Sequence, residues 1–293
     1  MSKIMLCGEI VWDIIEGKEY IGGAPFNVAV HLSRLGSEVC FVSRVGNDRL
    51  GGAAIEKAKE LGIDVSYIQC DEVNQTGVAY CTLQSDGSAV YTFPDSISYD
   101  NIEFPGNLAD KYDTFYFGTL VQMQEKTKNT IKKILDTYTF KNVVLDVNIR
   151  RGFYPRDVIE YSFSKATVVK MNDEESVILS KLLYGNFESD EAFAKRISGD
   201  HNIDTVLITK GGDGYGILSE GQYRECPVEP ADVCDTIGAG DAFAGGFIHY
   251  FTETGDAHLA CRMGGYIGTY VASNKSAVPE YSDELIKKLG TGD

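Results

Sequence analysis

The sharpest chemical signal in the sequence is DTIGAGDAFAGGF, residues 235–247. Gly238, Ala239 and Gly240 precede an expected helix that begins near Asp241. The first N–H groups of a helix have no acceptor within it and point at whatever lies ahead of it. Small residues let an anion approach that backbone closely. A carboxylate at the helix start would then stand beside the bound anion. It could take the proton of an attacking hydroxyl while the amides stabilise charge on the oxygens. One segment would thus supply an anion hole and a base. The simpler reading of a lone GxGD is a glycine turn with Asp241 as a helix cap.

Other residues suit related chemistry. MNDEE (171–175) spells a capping box, with Asn172 as N-cap and Glu175 three residues on, and its carboxylate also suits an outer-shell role toward Mg²⁺. TKGGDG (209–214) reads as a hairpin turn into YGIL, or as a loop whose glycines let backbone lie against a nucleotide. Arg150 ends an expected strand, where a guanidinium could neutralise phosphate; Arg151 beside it reads as solvent-facing. No GxGxxG follows the first strand and no Walker A GxxxxGK[ST] occurs, which argues against a dinucleotide-binding or P-loop chain.

The elements that must position these residues alternate. Strands are expected at 4–7, 39–45, 113–117, 142–147, 167–171 and 204–209. Helices are expected at 25–35, 52–61, 125–138, from about 173, and at 240–253, 256–272 and 281–289. Strand–helix alternation predicts a mainly parallel sheet covered on both faces, with ligands at the carboxyl ends of its strands. One section breaks the rhythm: TGVAYCTLQSDGSAVYTF (76–93) alternates about Asp86-Gly87 as a β-hairpin does. With residues 10–21 it would make a small sheet standing off the main domain as a lid.

Composition bounds the partners. A formal net charge of −16 disfavours nucleic acid and anionic membrane. It also obliges any phosphate site to gather positive potential from backbone N–H groups, a few basic side chains and Mg²⁺. Seven cysteines without a CxxC pair read as reduced, mostly buried thiols, and the four histidines show no ligand spacing. The first residues, MSKIMLCGEIVWD, are interrupted too early for a signal peptide, and no apolar stretch approaches a membrane span, so a cytoplasmic location is expected.

Four segments, IGGAPFNVAVHLSRLG (21–36), MNDEE, TKGGDG and DTIGAGD (235–241), resemble in order and spacing the four signatures of the ribokinase-like PfkB family of carbohydrate kinases. The resemblance runs from Gly8 to Pro279, and GGAPFN with DVNIR (146–150) is most like fructokinases. It implies a ribokinase-like three-layer α/β/α fold with a mainly parallel central sheet and a small β-sheet lid. Residues 1–293 would form one kinase domain, with the lid drawn from about 10–21 and 76–98. The implied activity is transfer of the γ-phosphate of Mg-ATP to a hydroxyl of a small sugar. In it Asp241 is the catalytic base, and Gly238, Ala239 and Gly240 supply the anion hole. Asp13, Gly22, Gly23 and Asn27, with Arg150, face the sugar, while Asn172, Thr209, Gly211 and Gly214 face the nucleotide. Glu175 helps place Mg²⁺, largely through water, and Asp235 contributes to a monovalent-cation site for K⁺.

The sequence departs from the family pattern at three points. Ile237 stands where Thr is usual, and Ser276 in ASNKSAVP (272–279) stands where Gly is usual, which bears on the K⁺ site. FPDSISYDNIEF (93–104) lacks the Arg that many relatives bring to the sugar, leaving Tyr91, Phe93 and Tyr99 as candidates to line that end. Alternatives on the same fold are a nucleoside or sugar-acid kinase, or a non-catalytic sugar- or nucleotide-sensing protein. An intact Asp241 with its glycines is what a pure binder would not need. Exposed lid edges favour pairing, so a homodimer through the lid is an open expectation.

Overall fold

Strands that are apolar on both sides build the centre of the protein, and their order sets where the site falls. The computed structural model describes residues 2–15, 17–83, 89–92, 94, 96–106, 112–149 and 154–291. Asp86, Gly87, Phe93, Arg150 and Arg151 therefore lie outside the described residues, as does the side chain of Tyr91. In chain order the elements are β1 (Lys3–Cys7), β2 (Val11–Ile15), β3 (Lys18–Gly22), α1 (Ala24–Arg34), β4 (Glu38–Gly46), α2 (Arg49–Glu60), β5 (Ile68–Asp71), β6 (Gly77–Leu83) and β7 (Ala89–Thr92). They continue with β8 (Thr114–Gly118), α3 (Glu125–Thr137), β9 (Asn142–Asp146), α4 (Arg156–Lys165), β10 (Val168–Asn172), α5 (Asp173–Tyr184) and α6 (Asp190–His201). The last are β11 (Thr205–Thr209), β12 (Tyr215–Ser219), β13 (Gln222–Cys226), α7 (Ala239–Thr254), α8 (Ala257–Ala272) and α9 (Asp283–Thr291).

Nine strands form the main sheet in the order β13-β12-β11-β10-β9-β8-β1-β4-β5. From β11 to β5 every pairing is parallel; β12 and β13 close one edge as an antiparallel hairpin. Strands such as TFYFG and NVVLD are buried at every position, as a sheet covered on both faces requires. Ile131, Phe163, Leu179 and Phe193, from α3 to α6, seal one face. Phe26, Ala54, Phe247 and Ala260, from α1, α2, α7 and α8, seal the other, so the fold is a three-layer α/β/α arrangement. Helices α7 and α8 approach closely enough that a Cβ on Gly246 would lie 2.8 Å from Gly264 Cα. No helix among the described residues is long and apolar enough to cross a membrane. None of the described cysteines is in a disulfide: Cys7, Cys40 and Cys261 are buried, whereas Cys70 and Cys234 are exposed.

A second sheet of four strands, in the order β3-β2-β6-β7, stands apart from the first. The stretch with hairpin alternation supplies the antiparallel pair β6 and β7, and β2 adds to β6 in parallel starting from Val11 opposite Gly77. Alternation along β2 turns Asp13 to one face and Trp12 to the other, where the indole N–H donates to Leu50 O at 3.1 Å.

One buried histidine ties the end of the chain to the first helix. His31 on α1 is fully buried, with Nε2 3.0 Å from Ala277 O and Nδ1 2.7 Å from the Tyr281 hydroxyl. A carbonyl can only accept, so Nε2 carries the hydrogen and Nδ1 accepts from Tyr281. Arg34, one turn on, donates to Val278 O at 2.8 Å. Burial pushes the His31 pKa down from 6.5 to about 4. A histidine held neutral in the folded state contributes stability above the unfolded pKa and loses it as pH falls toward the folded one. Unfolding followed by denaturant should therefore show stability falling between pH 6.5 and 4, on the order of 3 kcal/mol for this residue. His31→Gln, which keeps a donor and an acceptor but cannot charge, should flatten that slope; an unchanged slope would show that His31 does not contribute it.

Candidate active site

Two helix N-termini meet at the site, and neither is capped by a side chain. Helix α1 begins after Gly23 (φ 107°) and α7 after Gly238 (φ 79°), and at both positions the cap is glycine in a backbone region that L side chains rarely adopt. Space also demands glycine at each. A Cβ on Gly23 would lie 2.7 Å from Glu9 O, and one on Gly238 would lie 2.4 Å from Ala277 Cβ. Thr236–Asp241 thus folds into a turn in which Ala239 N–H donates to Thr236 O at 3.2 Å, and α7 starts two residues earlier than its carboxylate.

Asp241 lies in the first turn of α7 and accepts from Asn27 Nδ2 at 2.8 Å. A carboxylate facing an amide fixes the amide's orientation, because only the NH₂ end can donate. Asn27 is 5% exposed, and its Oδ1 is buried with no hydrogen-bond partner. That oxygen and Asp13 Oδ2 flank Gly22: a Cβ there would lie 3.9 Å from the first and 3.5 Å from the second. Burial raises the Asp13 pKa. Asp13, Gly22, Gly23, Asn27 and Asp241 are therefore one cluster, drawn from the small sheet and from two helices. Its carboxylates and the amide oxygen are acceptors that call for a ligand rich in donors.

The strand ends carry the second cluster. Asn172 and Thr209 are neighbours across β10 and β11. Asn172 Oδ1 accepts Glu175 N–H at 2.8 Å and Glu175 Oε2 accepts Asn172 N–H at 2.9 Å, the expected capping box. The other carboxylate oxygen accepts Ile149 N–H at 2.9 Å. Burial raises the Glu175 pKa, against the pull of those two N–H groups and of Lys170. Each Glu175 oxygen already has a backbone donor, which fits contact to a metal through water better than direct ligation. Gly211–Asp213 is a single 3₁₀ turn between β11 and β12, closed by Lys210 N–H to Gly214 O at 2.8 Å. A Cβ on Gly214 would lie 2.1 Å from Cys226 O, so that glycine serves the hairpin, whereas one on Gly211 would meet nothing within 4 Å. A groove of about 850 Å³ lies alongside, bordered by Tyr215, Val228, Arg262 and Gly265. Asp235 is tied to the end of α8 through its N–H to Ala272 O at 3.1 Å, and its Oδ1 accepts Ile237 N–H at 2.9 Å. Tyr99 is buried against Gly77 at the base of the small sheet.

Beneath both clusters lies a group of which the sequence patterns single out only Asp146, the first residue of DVNIR. Lys170 Nζ contacts both oxygens of Asp146, at 2.8 and 3.0 Å, and Tyr116 donates to Asp146 Oδ2 at 3.0 Å. All three residues are buried. Burial alone would lower the Lys170 pKa, but Asp146, then Asp241 and Glu175, raise it. Only the register of β9 against β10, which sets Lys170 opposite Asp146, brings the pair together.

Comparison with known proteins gives a consistent result. A profile described as pfkB family carbohydrate kinase matches residues 6–283. The chain is 27% identical to a fructokinase of Klebsiella pneumoniae over 312 aligned positions, which cover 98% of this chain and 99% of that protein. It is 27% identical to an aminoimidazole riboside kinase of Salmonella typhimurium, covering 85% of this chain and 80% of that protein. Among solved structures, an uncharacterized sugar kinase from Pyrococcus horikoshii in complex with ATP superposes with a TM-score of 0.84 at 24% identity, over 97% of each chain.

The α7 cap offers a direct test of the local geometry. Gly238→Ala should lower stability by about 1–3 kcal/mol, read as a lower urea midpoint at unchanged slope, because the positive φ and the Ala277 contact both resist a Cβ. Removing one of the clashing atoms by Ala277→Gly should recover part of that loss; a Gly238→Ala protein as stable as the wild type would contradict the geometry.

Proposed function

The chain belongs to the pfkB family of carbohydrate kinases, and we propose that it transfers the γ-phosphate of ATP to a hydroxyl of a ketose, with fructose the first candidate. One observation carries the reading. The buried Asn27 amide spans from Asp241, to which it donates at 2.8 Å, to an open oxygen beside Asp13. A sugar supplies the donors that such a set of acceptors lacks. Its reacting hydroxyl would hand its proton to Asp241 as the oxygen–phosphorus bond forms. The bond from the γ-phosphorus to the bridging oxygen breaks and ADP leaves. The amides at Gly238, Ala239 and Gly240 would meet the charge on the phosphoryl oxygens. Gly22, Gly23 and Arg150 would complete the sugar side.

The nucleotide would lie along Asn172, Thr209, Gly211 and Gly214 toward the groove at Val228 and Gly265. Mg²⁺ carried by ATP would be held through water by Glu175 with Asn172, and would supply charge neutralisation at the phosphate oxygens. A K⁺ ion near Asp235 would act on the same loop. The small sheet would close over the sugar and exclude water, which limits hydrolysis of ATP. Its edge strands, β3 and β7, suit pairing with a second copy. Likeness to an aminoimidazole riboside kinase favours a nucleoside as the second candidate.

An ADP-release screen over ketoses, aldoses, sugar acids and nucleosides tests this reading. Ketoses should give the highest kcat/KM, and Asp241→Asn should lower kcat by about 10²–10⁴-fold while the protein still binds nucleotide. An Asp241→Asn protein with near-native turnover would remove the base. Ligand-induced stabilisation of the wild type without ADP release would favour a sensing protein instead.

A further inference from the structure

An ion pair in an apolar core is weak grounds for stability, since desolvation offsets much of its attraction and a neutral pair of similar volume often serves as well. Lys170 and Asp146 form such a pair on the sheet face that α7 covers, among Leu6, Val144, Val168, Leu207 and Phe243. Its position is the informative feature. Lys170 precedes Asn172 by two residues on β10, and a Cβ on Gly240 would lie 3.7 Å from its Nζ. The ammonium therefore abuts the first turn of α7 from below, while the Asp146 carboxylate grips two of its three N–H donors and Tyr116 holds that carboxylate from the far strand β8.

We propose that Lys170 is a positioning residue for phosphoryl transfer: its clamped ammonium is the fixed buried positive charge behind the Gly238–Asp241 turn, and Asp146 and Tyr116 aim it. The inference rests on the kinase reading above and goes beyond it, since no sequence signature includes Lys170. In a chain of net charge −16 a positive charge at this place is scarce. Lys210, next to the nucleotide loop, is matched by Asp190 and Glu225 at 2.8 and 2.6 Å. Lys170 contacts one carboxylate, Asp146, where Lys210 contacts two, and it faces Asp241 and Glu175 through space, so it offsets the repulsion between the two carboxylates assigned to the reaction. It adds to the helix N-terminus a charge that needs no reorganisation when the transferred group becomes more negative.

The test compares Lys170→Met, Asp146→Asn and the double variant Asp146→Asn/Lys170→Met, each assayed for kcat and both KM values after its melting temperature is measured. Lys170→Met should lower kcat about 10²-fold with both KM values within about threefold. Asp146→Asn, which keeps the ammonium, should lose less than about tenfold. The double variant has no unpaired charge and should melt near the wild type yet remain as slow as Lys170→Met. A double variant that recovers wild-type turnover, or equal losses in the two single variants, would show the pair to be structural and overturn the proposal. If the wild type bound ligands but released no ADP with any acceptor class, the kinase reading itself would fall, so the two failures are separable.

Discussion

The acceptor side of the site depends on one side-chain hydrogen bond, Asn27 Nδ2 to Asp241 Oδ2 at 2.8 Å, between residues 214 positions apart. It joins the starts of α1 and α7, and each start is a glycine that leaves the N–H groups without a capping side chain. The positive ends of two helices thus converge on one carboxylate and on whatever anion joins it. The same two helices are held together at the back. A Cβ on Gly245 would lie 2.7 Å from His31 Cβ, and His31 holds Ala277, which in turn packs on Gly238. One helix therefore sets both the hydrogen bond to Asp241 and the wall behind the Gly238–Asp241 turn.

Charge is the constraint that this geometry answers. The chain carries −16 overall, and the groups nearest the site add to the problem, since Asp13, Asp146, Glu175 and Asp241 are all acidic. Lys210, beside the Gly211–Asp213 turn, is already matched by Asp190 and Glu225. In the proposed reading, attraction for a nucleotide would come from oriented backbone, from Lys170 under Gly240 beyond its pairing with Asp146, and from a metal carried by the nucleotide. Such a site would favour a triphosphate carrying its cation over a bare polyanion.

The parts of this design that depend on local sequence were legible. Glycines at 22, 23, 238 and 240, the Asn172 capping box and the buried strand runs each announce themselves within a few residues. The strand expected at 142–147 is β9 at Asn142–Asp146, and the helix expected at 240–253 is α7 at Ala239–Thr254. Helices α4 and α6 and strand β5 were not anticipated. Helix α6, DEAFAKRISGDH, buries only Phe193, Ala194 and Ile197, too few apolar positions to stand out among its charges. Lys170 was invisible for another reason: a lysine inside VVKMN looks like a strand residue turned to solvent until β9 supplies Asp146 beside it. His31 likewise needed the chain end, nearly 250 residues on, to give its ring two partners.

The small sheet extends the same logic to motion. Its strands leave the main domain side by side, at Val11 and Gly77, and that junction is tightly built. Thr76 donates through its N–H to Asp48 Oδ2 at 2.8 Å and through its hydroxyl to Asp48 Oδ1 at 2.7 Å, while Gly51 N–H caps α2 on the same carboxylate at 2.8 Å. A Cβ on Gly77 would lie 2.7 Å from Tyr99 and 2.8 Å from Ile10 O, so the base has no slack. Asp13 sits only two residues beyond Val11 and is therefore close to that tightly built junction. If the small sheet closes over a sugar as proposed, its outer part would move without shifting Asp13.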